Sequence, residues 1–143
     1  MLAELEALDY KKVLYYFSEI AKIPHGSGNV GQIASYLECF AKERNIRYVR
    51  DTADNIIFYK EATKGYEQYP TIILQGHMDM VCEKEADVAH DFEKDGLQLQ
   101  TDGEWLFADR TTLGGDDGIA VAYCLALLED ETIGHPALEM VIT

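Results

Sequence analysis

The run Thr71-Ile72-Ile73-Leu74 constrains the fold more than any other stretch of this chain. It is a continuous apolar segment of strand length. A strand without apolar/polar alternation is expected to be buried on both faces, and helices packed on a sheet provide that burial. The flanking sequence supplies such helices. Over residues 9–23 the apolar positions Val13, Leu14, Phe17, Ile20 and Ala21 recur at helical spacing until Pro24 stops the pattern. After the turn His25-Gly26-Ser27-Gly28-Asn29, a second helix runs through Ile33, Ala34, Leu37, Phe40 and Ala41. His25, a loop histidine near glycines, is expected to be exposed. Extended segments at residues 46–50 and 55–60 meet through Asp51-Thr52-Ala53-Asp54, and residues 97–100 and 105–107 flank Asp102-Gly103, which predicts two hairpins. A third helix over residues 120–128 precedes a last strand at residues 138–142. The interleaving predicts an α/β fold, a mixed β-sheet flanked by helices, and 143 residues with 48% hydrophobic content suit one domain.

The charge balance narrows the partners. Twelve Lys and Arg against 26 Asp and Glu give a formal charge of −14, so the chain would repel nucleic acid and anionic membrane rather than neutralise them. Cations and basic or zwitterionic small molecules remain compatible. Cys39, Cys82 and Cys124 form an odd set without Cys-x-x-Cys spacing and read as reduced thiols of a cytoplasmic protein. Cys39 and Cys124 fall within helical apolar patterns and are expected in the core, and Cys82, just after a histidine loop, is not expected to be a metal ligand. Residues 1–6 carry neither the basic nor the apolar region of a signal peptide. No apolar run approaches the ~20 residues that span a bilayer.

Two clusters carry chemistry. The apolar strand leads into Gly76-His77-Met78-Asp79, where residues two apart in an extended segment leave the backbone on one face. One ring nitrogen of His77 is then free for a metal, while the Asp79 carboxylate accepts a hydrogen bond from the other and fixes the tautomer. Downstream, Thr111-Thr112-Leu113-Gly114-Gly115-Asp116-Asp117-Gly118 opens onto the third helix. Its glycines permit close backbone packing. One aspartate is accounted for as a helix cap, but two in succession exceed what a cap requires.

With both clusters placed, the chain resembles the N-terminal part of the M20 family of dinuclear metallopeptidases, in its aminoacyl-histidine dipeptidase branch. The resemblance is carried by residues 17–24 with His25, by Leu74-Gln75-Gly76-His77-Met78-Asp79-Met80-Val81, and by His90-Asp91-Phe92. Asp102-Gly103-Glu104-Trp105, residues 111–118 and His135-Pro136-Ala137-Leu138-Glu139 continue it in the family's order. It implies that residues 1–143 form the first part of a zinc-exopeptidase-like catalytic domain. His77 would be a terminal metal ligand, Asp79 its orienting catalytic carboxylate and Asp116 the bridge between two divalent ions, with zinc first and manganese or cobalt as substitutes. The peptide bond from Asp116 to Asp117 would be cis. Asp117 stands where the family often has Asn, and Gly115 where the nearest relatives have Ala.

The resemblance also implies parts that lie beyond residue 143: a Glu-Glu pair supplying the general base and a ligand, a further Asp and His, and a lid domain contributing substrate contacts and dimerisation. The full-length parent is accordingly expected to be a homodimer hydrolysing small peptides of Xaa-His type, and the 143-residue chain to be inactive. Its last strand, deprived of downstream neighbours, is expected to leave an exposed sheet edge and a tendency to self-associate. Alternatives are an M20 aminoacylase, deacetylase or tripeptidase, and, outside enzymes, a folded fragment or an acidic protein-interaction module.

Overall fold

The computed structural model describes residues 10–143. The reading of residues 1–6 for a signal peptide and the start of the first helix at Asp9 lie outside the described residues. The elements in chain order are α1 (Lys11–Ala21), α2 (Gly31–Glu43), β1 (Arg47–Arg50), β2 (Ile56–Lys60), β3 (Ile72–Gly76), β4 (Leu99–Thr101), β5 (Leu106–Ala108), α3 (Gly115–Glu129) and β6 (Leu138–Ile142).

Four strands form one sheet in the order β1-β2-β6-β3, antiparallel except for the parallel β3–β6 pair. The fold is therefore the expected mixed sheet with helices against it. Side chains alternate between faces, so Ile56 and Phe58 of β2 point the same way as Leu138, Met140 and Ile142 of β6. That face is buried by Val13, Tyr16, Phe17 and Ile20 of α1, Ile33, Leu37 and Phe40 of α2, and Val121, Ala122 and Leu125 of α3 in one continuous core. Tyr16, Phe40 and Phe58 meet edge to face at 5.5 and 6.4 Å between ring centroids, linking both helices to the sheet. α1 and α2 turn apolar stripes inward, whereas α3 is apolar almost all round and leaves Ile119 and Tyr123 exposed. Burying a large apolar side chain contributes about 1.5–3 kcal/mol. The β4–β5 hairpin stands apart as a separate ribbon. It lies over a smaller cluster of Ala21, Met80, Leu97 and Ala108.

Three expectations fail here. The apolar run of β3 is not buried on both faces: β3 is a sheet edge, and Ile72 and Ile73 are 46% and 63% exposed. An unbroken apolar run does not encode how many neighbours its strand has. Nor does β6 form the exposed edge, since it pairs with β2 on one side and β3 on the other. Its alternating Leu138, Met140 and Ile142 give it a continuous buried face at the sheet's middle. Finally, Cys124 is buried as expected but Cys39 is exposed. Position 39 lies about 200° around the helix from Leu37, which faces the core, at the helical advance of 3.6 residues per turn.

Candidate functional site

The site forms where the C-terminal end of β3 meets the start of α3. Gly76 makes this meeting possible: a Cβ there would lie 3.1 Å from Asp117 Oδ2 and 3.2 Å from Ala120 Cβ. The missing side chain lets α3 press against the strand. Asp117 Oδ2 accepts a hydrogen bond from the His77 amide at 3.4 Å, tying the helix start to the loop leaving β3. Gly114 precedes α3 in the left-handed region, with φ 69° and ψ 22°. Asp116 and Asp117 lie inside the first turn with non-helical backbone angles, and the peptide bond between them is cis, in accord with the resemblance. No side-chain capping hydrogen bond forms at this helix start, so the aspartates are not its caps.

Beyond Gly76, Met78 turns into the core at 1% exposure, while His77 and Asp79 face outward together. His77 Nδ1 lies 3.0 Å from Asp79 Oδ1 and 3.1 Å from the Asp79 carbonyl oxygen. Both oxygens are acceptors when the carboxylate is ionised, so Nδ1 carries the hydrogen and donates. His77 Nε2 lies 3.1 Å from Asp116 Oδ1, and the Asp116 side chain is 96% exposed. With the ring hydrogen committed to Nδ1, a neutral His77 sets two acceptors against each other at that distance. A cation between them resolves the conflict. A proton does so: burial pulls the His77 pKa down, but the bonds to Asp116 and Asp79 outweigh it and the net shift is upward. A divalent ion would do the same, since bonds of about 2.0–2.2 Å from an imidazole nitrogen and a carboxylate oxygen reach a common ion across such a gap.

The structure thus brings His77, Asp79 and Asp116 together. Cys82 is exposed, with its Sγ beside the Met80 carbonyl. Among the described residues no three His, Cys, Asp or Glu side chains converge as a ligand set. The donor pair fits a metal half-shell rather than a closed site.

His25 departs from its expected exposure. It is only 3% exposed, its Nδ1–H donating to the Ile23 carbonyl at 2.6 Å, and burial lowers its pKa. It is buried because the turn after α1 folds over Met80 and Gly114: the Met80 amide donates to the His25 carbonyl at 3.1 Å, and a Cβ on Gly114 would meet His25 Nε2 at 3.3 Å. The same turn supplies Ser27, whose hydroxyl donates to Asp79 Oδ2. That bond is the largest influence holding the Asp79 carboxyl below its ordinary pKa. A serine in a glycine turn gives no sequence signal of a partner 52 residues away. Beside Asp116 a shallow pocket of about 240 Å³ is lined by Val81, Thr112, Leu113, Gly114 and Gly115. The Thr112 hydroxyl donates to the Val81 carbonyl at 2.7 Å and fixes the two loops that form it.

No family model matches the chain. It is 42% identical over 142 residues to the cytosol non-specific dipeptidase of Escherichia coli K12, covering 99% of this chain and 29% of that protein. The crystal structure of aminoacylhistidine dipeptidase from Vibrio alginolyticus superposes with a TM-score of 0.94 at 38% identity, again over 99% of this chain and 29% of that one. A Staphylococcus aureus tripeptidase superposes with a TM-score of 0.74 at 23% identity, over 95% of this chain and 36% of that one, a likeness of fold alone. The chain therefore spans under a third of the length of the two dipeptidases. Sequence and fold together bear out the resemblance to the M20 peptidases.

Proposed function

We propose that this chain, which shares sequence and fold with M20 dipeptidases over 29% of their length, contributes one half-shell of a dinuclear metal centre to a cytosolic dipeptidase. The observation that carries the reading is the confrontation of His77 Nε2 with Asp116 Oδ1 at 3.1 Å, with Asp79 holding the hydrogen on the far side of the ring. His77 supplies a neutral imidazole nitrogen, and Asp116 an exposed carboxylate able to reach two ions. Asp79 keeps the ring in the tautomer that leaves Nε2 bare. Zinc is the first choice for a mixed imidazole and carboxylate set, with manganese or cobalt as substitutes, and such ions polarise a scissile carbonyl and lower the pKa of bound water.

The substrate class is a small peptide, as the name of the E. coli protein states for that relative. Residues 1–143 form part of a catalytic domain, and a base for water activation together with the remaining ligands lies in the part of the relatives that this chain does not span. Two ligands hold metal weakly, because ligand count sets affinity. The 143-residue chain is inactive alone, whereas a full-length protein containing it cleaves Xaa-His dipeptides as a homodimer.

Dipeptide hydrolysis with added zinc or manganese tests this in both proteins. The full-length protein should turn over well above a metal blank and lose that turnover with His77→Ala or Asp116→Ala, while the chain stays at the blank. Turnover by the chain, or a full-length protein indifferent to both substitutions, would overturn the reading.

A further inference from the structure

The Asp79 carboxylate is gripped at both oxygens. Oδ1 accepts from His77 Nδ1–H at 3.0 Å, and Oδ2 accepts from the Ser27 hydroxyl. Ser27 is itself anchored. Its amide donates to the Met80 carbonyl at 3.1 Å, the Met80 amide donates to the His25 carbonyl at 3.1 Å, and Gly26 and Met80 form a parallel bridge. Buried His25, bonded to the Ile23 carbonyl, fixes the base of the turn. The rigid turn therefore presents one hydroxyl to a carboxylate that otherwise sits on a solvent-facing loop with a 36% exposed side chain. Ser27 is exposed and adds nothing to the core, so its side chain is not needed for packing.

We infer that Ser27 is a positioning residue, whose hydroxyl holds the Asp79 carboxylate in the orientation that keeps the His77 hydrogen on Nδ1 and leaves Nε2 bare toward Asp116. The metal consequence rests on the reading of His77 and Asp116 as ligands. Without the hydroxyl, Asp79 has one directional partner instead of two and its carboxylate can turn away from the ring. The imidazole then samples the tautomer with hydrogen on Nε2, in which that nitrogen has no lone pair to offer an ion beside Asp116. Partners of ligating histidines typically change metal affinity by about 10–100-fold.

The test compares wild type, Ser27→Thr, which keeps the hydroxyl, and Ser27→Val, which has nearly the same shape without it. Nitrogen-edited imidazole NMR of the metal-free chain, at alkaline pH where the ring is neutral, reports the His77 tautomer. Line broadening of the His77 signals by added manganese reports binding even when weak. Wild type and Ser27→Thr should show the Nδ1–H tautomer and broaden at similar manganese concentrations. Ser27→Val should show mixed tautomers and need about tenfold more manganese, with an unchanged unfolding midpoint.

A Ser27→Val chain with the wild-type tautomer would overturn the inference whatever manganese does. Altered tautomers with an unchanged manganese midpoint would overturn it too. Should wild type fail to broaden, the ligand reading falls, and the tautomer spectra alone decide the role of Ser27.

Discussion

Gly114→Ala should destabilise the chain through two separable effects. Gly114 sits at φ 69° and ψ 22°, where an L-residue with a Cβ costs about 1–2 kcal/mol more than glycine. The added methyl would also lie 3.0 Å from Met80 Sδ and 3.3 Å from His25 Nε2. Both neighbours are only 3% exposed and cannot swing into solvent. Relieving that crowding adds roughly 1–2 kcal/mol, at the lower end of overpacking costs. The sum is about 2–4 kcal/mol. At about 3–4 °C per kcal/mol for a domain of this size, the midpoint should fall by roughly 6–16 °C. Gly103→Ala is the control, because Gly103 has φ +94° with nothing within 4 Å of the added Cβ. It bears the backbone cost without crowding. Thermal unfolding of the three chains by circular dichroism gives the comparison. If Gly114→Ala loses no more than Gly103→Ala, the packing of His25 and Met80 against the site loop is not as described.

Two further outcomes bear on the fold. Leu125→Ala removes a side chain with 0% exposure at the centre of the core and should cost about 2–5 kcal/mol in denaturant unfolding, whereas a loss under about 1 kcal/mol would mean the core is looser than drawn. Glu38 accepts hydrogen bonds or ion pairs from Lys42, Tyr48 and Arg50, with Lys42 the largest influence, and its pKa falls from 4.5 to about 2. Its stabilisation is therefore fully present above pH 4.5 and is lost as pH falls toward 2. The midpoint gap between wild type and Glu38→Gln should narrow over that window, and a gap independent of pH would refute the assignment.

What the sequence made legible follows from what local chemistry encodes. The helical spacing of Val13, Phe17 and Ile20, the glycine turn at residue 103 and the strand at residues 138–142 each report a local preference, and each appears where expected. The proximity of His77 to Asp79 was likewise a matter of spacing. Its meeting with Asp116 came through the resemblance, since no local rule brings residues from separate elements together. Strand order left no trace in the apolar run of β3, so its edge position was missed. His25 and Ser27 were missed for a related reason: their places depend on a turn after α1 folding back over a loop after β3, and neither half of that contact announces the other.

The central place of β6 has a consequence for how the molecule comes together. The β1–β2 hairpin and the helices can begin from local contacts. In contrast, within the sheet β2 and β3 are joined through residues 138–142, which must insert between them. Closing that loop carries its entropic cost before the pairing offsets it, so completion of the sheet is a late event. Until then the inner edges of β2 and β3 are both bare, and this is the interval in which the growing chain is most open to pairing with the wrong strand.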